Sequence, residues 1–573
     1  MEPYSYHTFF FPFVWKKETV SEYKKYVAMF PEQEWKDISI KSYTDINSGD
    51  DYDLTPSQKY QVMQFFTEAA REALFDWKGN DFVKYLSYRP EYIRNQNYFI
   101  SIDEIINEGK DNEKTSHYEY SLPINGIKIR IFNTGIAILA FELENIEYRC
   151  IEDVKRINQY GRRIFPPYLK KRKRYRGEDS PAEYEGDPEE YCGECATEIR
   201  ITGFDAIDRI SKTKPENEID CIPNFIRAIL PYSDVKTAID DRMFVACVVA
   251  DRAYMKYIRD YYKISGAADE DKLARCLSYK NMNEAAEAVR IEDKKKNKAD
   301  KTQTKQEEKP QEVLSERDLV IKKARDLYEL IFVDNPGCCS CQSLAMLDAL
   351  LKKSIYDRWE EYGTIYGMSN HSLICIHNDV DPEKKDSDDI SFLSFNFISI
   401  YTHMVEMVLA QRAAIIVFDE YSSGITKHFG THSLPGNFWN LAKKIFVGDE
   451  IADFQKKYID FCNQHNNIEI TCQEQGVELY AMLQNAMYVP ENSEKLEKEV
   501  SALYEAASTS SDLNIAAIGL IFAVIVAACD FDSIWKLGRA GILLAFVIIG
   551  CVVPIICKEW KRKKQERSKN KIR

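Results

Sequence analysis

Two runs near the carboxyl end constrain this chain more than anything else in it. Leu513 to Cys529 reads LNIAAIGLIFAVIVAAC and Ala540 to Cys557 reads AGILLAFVIIGCVVPIIC; neither holds a charged side chain. At about 1.5 Å per residue, helices of these lengths reach roughly 26 Å, enough for a thin hydrocarbon core. A buried helix of a soluble domain would show a polar stripe, and these show almost none. Only the ten residues Asp530 to Arg539 join them. The expectation is a transmembrane hairpin over 511–557, with spans at 513–529 and 540–557.

Topology follows from charge. The tail 558–573 carries nine Lys or Arg against two Glu. The loop between the spans is balanced: Asp530 and Asp532 against Lys536 and Arg539. The positive-inside bias holds the tail in the cytoplasm, and two spans return the long N-terminal part to the same side. The expected location is therefore the inner (plasma) membrane, multi-pass, with both termini cytoplasmic. The opening MEPYSYHTFFFPFVWKK lacks the basic region of a signal peptide, and Pro12 interrupts its apolar run. Of the net charge of −14, the tail supplies +7, so residues 1–557 sum to −21. An acidic soluble part argues against a direct nucleic-acid partner but leaves room for a small anion in a local basic pocket.

The fold class expected is an α/β cytosolic domain, a mixed sheet with helices, followed by a long helical stalk and the hairpin. Residues 1–289 read as an N-terminal cytosolic α/β region. Tyr4 to Trp15 is rich in aromatic residues and reads as a strand ending near Pro12. Ser57 to Trp77 has helical spacing behind Pro56. Ile127–Phe132 alternates apolar and basic residues, the period of a half-buried strand; Asn133-Thr134-Gly135 is turn chemistry, and Ile136–Leu143 is its partner strand. Ile151 onwards looks helical up to Gly161. Residues 290–317 are charged and nearly free of large apolar side chains, which predicts a flexible linker. Residues 318–437 form the second part of the α/β region, with helices over 318–332, 343–359 and 398–418 and a strand at His371–His377. Residues 438–510 read as the helical stalk, interrupted at Gly448, Asn466-Asn467 and Pro490, and 558–573 as a basic cytoplasmic tail.

The fifteen cysteines sit in a reducing compartment on this topology, so free thiols are expected. Cys192 and Cys195 form a lone CxxC, and Cys338, Cys339 and Cys341 crowd one turn without an evident fourth ligand, so no metal is expected. There is no GxxxxGK[ST] loop, HExxH or GxSxG elbow, and the eight His are scattered. The expectation is a protein without enzymatic activity and without a cofactor.

A cytosolic α/β domain, a stalk entering the first span, a short outer loop, a second span and a basic tail together resemble the CorA family. That family closes its first span with Gly-Met-Asn; here the stretch is Cys529-Asp530-Phe531, so the resemblance does not carry magnesium selectivity. Several phrases are similar to the CorA-like membrane effectors found beside type III CRISPR systems. They are YHTFFFPFVW (6–15), FNTGIAILAFELEN (132–145), INQYGRRIFPPYL (157–169), YDRWEEYGTIYG (356–367), LAQRAAII (409–416) and TCQEQGVELY (471–480). The resemblance implies an antiviral sensor. Its cytosolic domain would bind a nucleotide second messenger, here an AMP conjugate of S-adenosylmethionine (SAM-AMP), and the membrane part would open as an ion channel or break the bilayer. The family layout also implies a homo-oligomer, a pentamer by analogy.

Such a messenger asks for a guanidinium near phosphate, aromatic faces for adenine and sulfonium, and polar edges. Two stretches supply the mixture. The first is Asn158-Gln159-Tyr160-Gly161-Arg162-Arg163; the second is Arg358-Trp359 with Tyr362-Gly363-Thr364. Trp15, Tyr160 and Trp359 are the aromatic candidates, and Asn158 and Thr364 the edge readers. The competing reading is that the arginines pair with carboxylates of this acidic chain and the rings are core. In the membrane, Asn514 near one mouth of the first span, and Asp530 and Asp532 at the other, are the candidate pore residues of an oligomer. Two other functions fit the same layout: a divalent-cation transporter of CorA type, and a membrane-anchored signalling enzyme or scaffold.

Overall fold

The computed structural model describes residues 3–15, 26–48, 55–79, 81–107, 113–163, 196, 198–204, 224–231, 235–240, 242–266, 316–378, 390–430, 458–459, 461–462, 469–503 and 505. Both expected spans, the tail, the CxxC, and Asn514, Asp530 and Asp532 lie outside them, as does the linker up to residue 315. The chain divides into two compact units, 1–416 with 461–492, and 417–460 with 493–573.

Among the described residues, the first unit is built on a twelve-stranded mixed sheet. Its strands are β1 (Ser5–Trp15), β2 (Trp35–Asp37), β3 (Val83–Tyr88), β4 (Asn97–Asn107), β5 (Glu113–Phe132), β6 (Ile136–Asn145), β7 (Glu198–Ile201), β8 (Val235–Thr237), β9 (Phe244–Ala250), β10 (Ile355–Tyr356), β11 (Thr364–Met368) and β12 (Ser372–His377). The main order is β10-β11-β12-β9-β1-β6-β5-β3-β2, with β4 on the first half of β5, β7 beyond β4, and β8 beside β1. The β9–β12 pair is parallel and the other pairs are antiparallel.

Strand β1 is central and does not end at Pro12. It pairs with β6 throughout, with Pro12 opposite Ile138. On its other edge β9 pairs up to Phe10 and β8 takes over from Phe13. The Pro12 carbonyl accepts from the Ala238 N–H on that second edge. The missing N–H of Pro12 therefore falls in the gap between two partners, where no ladder bond is lost.

The β5–β6 hairpin forms as its turn chemistry predicts: Gly135 has φ 87°, and Ile131 pairs with Ala137. Its basic face, expected to meet water, is covered instead. On its apolar face, Phe9, Phe11, Phe13, Ile127, Ile129, Leu139, Phe141, Val245 and Ile374 form one continuous core. The helices that meet this face are α3 (Ile151–Gly161), α4 (Arg252–Gly266), α5 (Glu316–Phe332) and α6 (Leu344–Ser354). On the opposite face Phe10, Phe132, Ile138, Cys375 and Arg130 are equally buried. They lie under α1 (Pro56–Phe65), α2 (Glu68–Phe75), α7 (Phe392–Asn396) and α8 (Thr402–Gly430), the last two joined by a π-helical turn, Phe397–Tyr401. The predicted helix over 57–77 is two helices, each started by a threonine. Thr55 and Gln58 make a capping box, and the Thr67 hydroxyl accepts from Ala70 N–H.

Among the described residues one helix, Phe392–Gly424, is long and apolar enough to cross a membrane by length and composition, and 72% of its most apolar stretch is buried inside the structure. In the described part of the expected stalk, α9 (Glu474–Ala486) ends at Met487, Tyr488 turns with φ 58°, and helix resumes over 489–503. Pro490 sits in the first turn of that second helix, where its lost N–H costs nothing. The exposed Glu494–Lys498 pair forms at 2.6 Å, with the spacing and order expected of a helix face.

Candidate functional site

Helix α3 delivers the site. Its apolar positions Ile151, Val154 and Ile157 pack on the sheet, and Gly161 ends it where the backbone comes closest to the strands. A Cβ at Gly161 would lie 2.7 Å from Ile100 Cδ1 and 3.0 Å from the Phe9 ring. The Tyr98 hydroxyl donates to the Gly161 carbonyl at 2.8 Å. Gly161→Ala would gain about 1 kcal/mol of helix propensity, but overpacking outweighs it. We expect a net loss of about 1–2 kcal/mol in urea unfolding.

The chain then turns into the sheet edge. Arg162 O accepts from Met243 N–H at 2.7 Å, and Arg163 forms an isolated bridge with Arg242 just before β9. The first β9–β12 contact follows, Val245 N–H to His371 O at 2.9 Å. His371 Nδ1 lies 4.0 Å from Asp240. From α8, Arg412 Nη1 donates to Asn370 O at 2.9 Å. Behind α5, Val333 holds φ 59°, rare for a β-branched residue, and turns the chain into Asp334. Arg162 thus forms the floor of a cluster whose half-buried rim is Arg163, Arg242, Arg412, His371 and Asp240.

The electrostatics of the floor are unusual. Arg162 is 1% exposed. Its Nη2 donates to Gln159 Oε1 at 3.1 Å, while its Nε and Nη1 have no partner. Burial, then Arg163 and Arg242, pull its pKa down to about 9, against the weaker pull of Asp240 and Asp334. The guanidinium is still charged at pH 7. His371 is pushed down to about 4 by burial and by the arginines around it, so it stays neutral there. A buried cation with two open N–H donors beside like charges is costly, and buried polar groups of this kind ordinarily have a partner. An anionic oxygen of a phosphate or carboxylate would satisfy either open donor.

The other predicted residues do not join this cluster. Asn158 is inside the core: its Oδ1 meets His7 Nδ1 at 2.7 Å. Tyr160 is fully buried, and its hydroxyl accepts from Asn335 Nδ2 at 2.8 Å, so it offers no stacking face. Trp15 stacks at 4.0 Å on Tyr26 and edge-on against Phe13, as core rings do. Gln159 lies three residues before Arg162, the spacing that lets their side chains bond, whereas Asn158 and Tyr160 are held by His7 and Asn335.

The second stretch is ion-paired. Arg358 binds Glu478 at 2.8 and 2.9 Å and Glu474 at 2.9 Å, and Trp359 Nε1 donates to Gln475 at 2.9 Å. Thr364 is buried in β11. An open cleft of about 740 Å³ lies here, lined by Tyr356, Arg358, Glu474, Val477 and Glu478 among others. Its arginine is already matched by two carboxylates, so it does not present a free cation to an anion.

Sequence reading missed Arg242, Arg412 and His371. Asp240 and Arg242 lie just before β9, where no local pattern marks them. His371 precedes β12, one residue outside the strand expected over 371–377. Arg412 had a signal: it is a lone arginine in the apolar run VLAQRAAIIVF. Among the described residues, no group of three or more His, Cys, Asp or Glu is placed to hold a metal ion. Comparison with protein-family models, curated proteins and solved structures gives no match to this chain.

Proposed function

We propose that this protein is a membrane effector of antiviral type III CRISPR defence. On this reading it is a CorA-like channel of the inner membrane, opened by a nucleotide second messenger, SAM-AMP, at the Arg162 cluster. The observation that carries the ligand half is the Arg162 guanidinium, buried with two N–H donors open. The membrane half rests on the two uncharged runs at 513–529 and 540–557, which the stalk would join to the sheet-bearing unit. Two spans cannot enclose an aqueous path alone, so the pore is a homo-oligomer, with Asn514 at one mouth and Asp530 and Asp532 at the other. The protein is a gate and not an enzyme. Trp15, Asn158, Tyr160, Arg358, Trp359 and Thr364 are not part of this proposal, because each is engaged in core packing, an ion pair or, for Trp359, a hydrogen bond to Gln475.

Arg162→Met tests it with two opposed readouts. In detergent, SAM-AMP affinity measured by calorimetry should fall about 100-fold, the loss of roughly 2–3 kcal/mol of charge-assisted bonding. The ligand-free variant should unfold at a higher temperature than the parent, since removing an open buried donor set recovers about 1–3 kcal/mol. Unchanged affinity would remove this pocket. In liposomes, cation flux without any nucleotide would favour a transporter, and activity surviving replacement of the hairpin by an unrelated one would favour an anchored enzyme or scaffold.

A further inference from the structure

We infer that Arg412 completes the anion site from helix α8 and thereby makes the position of that helix depend on whether the site is filled. The inference rests on the ligand reading above and goes beyond it, by naming the element that senses occupancy.

Four separate pieces of chain meet at the site: the end of α3, the entry to β9, the entry to β12, and α8. The first three are sewn together by backbone bonds, Arg162 O to Met243 N–H and Val245 N–H to His371 O. These cannot shift without breaking the sheet edge. Arg412 is different. It reaches the site on a side chain, through a hydrogen bond from Nη1 to the Asn370 carbonyl at 2.9 Å. A carbonyl is a weak partner for a guanidinium compared with an anionic oxygen. An anion bridging an open Arg162 donor and Arg412 would therefore draw Arg412, and α8 with it, towards the rigid part.

Helix α8 is equipped to respond to such a pull. Its surface against the unit is apolar except at a few polar ties. Glu406 meets Arg130 of β5 at 2.5 Å, and Gln411 accepts from Gln484 Nε2 at 3.0 Å and donates to the Tyr480 hydroxyl at 2.8 Å on α9. Polar ties inside an apolar interface fix register in discrete positions instead of allowing a continuous slide. Residues 411 and 412 are adjacent, so a displacement of Arg412 acts directly on the tie to α9. The chain of α8 continues past Ile416 into the second unit. The size of the response is bounded by the difference in ligand affinity between the two helix positions.

The experiment uses the full chain in detergent with SAM-AMP, and with inorganic phosphate as a minimal anion. Hydrogen exchange is read by mass spectrometry over 402–416 and, as a control, over β5–β6. In the parent protein, saturating SAM-AMP should slow exchange in 402–416 at least severalfold and leave β5–β6 unchanged. Arg412→Gln should weaken binding about tenfold and abolish the exchange response in 402–416 even at saturation. Arg412→Lys, which keeps the charge, should restore part of both; this partial rescue separates a positioning role from a purely structural one. If Arg412→Gln does not fold, the comparison of parent with Arg412→Lys stands alone, and an identical exchange response in the two would overturn the inference. Binding without any change in 402–416 in the parent would sink the coupling and spare the pocket. Absence of binding to either anion in the parent would sink the pocket and the coupling together.

Discussion

Glu406→Ala should cost about 3–5 kcal/mol of unfolding free energy, the largest single-residue loss expected in the sheet-bearing unit. Arg130 is completely buried, and its Nη1 donates to Glu406 Oε2 at 2.5 Å. Its guanidinium lies 3.9 Å over the Tyr85 ring and 5.4 Å from that of Phe75. Aromatic faces contribute about 2 kcal/mol to a desolvated cation, which does not offset an uncompensated buried charge. Removing both charges is a different experiment. Arg130→Met with Glu406→Leu leaves no ion behind, and the pair should return to within about 2 kcal/mol of the parent or exceed it. Urea unfolding of the parent, both single variants and the double variant closes the cycle. Equal losses for Glu406→Ala and for the double variant would contradict the account.

Acidification should give the second large effect. His7 and His377 are fully buried strand residues. His7 bonds Asn158 Oδ1 at 2.7 Å and Ser5 Oγ at 2.9 Å; His377 bonds Ser394 Oγ at 2.9 Å. Burial lowers each to about 4 from an ordinary 6.5. Below pH 6.5 the unfolded chain takes up protons that the folded chain refuses until about pH 4. Stability is therefore lost as pH falls through that window and is level above it. At pH 5 each histidine accounts for about 2 kcal/mol, so the two together remove about 4 kcal/mol, a large part of ordinary domain stability. His371 adds in the same direction. Urea midpoints at pH 7 and pH 5 measure the loss. His7→Gln and His377→Gln should each flatten the dependence by about half of that 4 kcal/mol, and a flat profile in the parent would refute the buried-neutral assignment.

What could be read from the linear chain was local. Alternation in IKIRIF, the turn at Asn133-Thr134-Gly135, the helical spacing behind Cys150 and the Glu494–Lys498 pair each depend on neighbours a few residues away, and each appears. Local rules also went too far. Pro12 suggested a strand end because the break between β9 and β8 that accommodates it lies more than two hundred residues off. The basic positions of β5 suggested a wet face because nothing nearby announced that α8 would cover it with a carboxylate at Glu406.

The candidate site shows the same division. The two adjacent arginines at the end of α3 were visible in the sequence as residues that an anion would use. Their fate was not, and the same chemical mixture at Arg358 was cancelled by Glu474 and Glu478 across the fold. The sequence by itself determined the apolar runs, the strand and helix periods, and which side chains carry charge. Only tertiary structure decided which charges meet. It brought Arg242, His371 and Arg412 beside Arg162 and left two guanidinium donors buried without an acceptor. The reason is that periodicity is a property of neighbouring residues, whereas desolvation and charge pairing depend on distance in space.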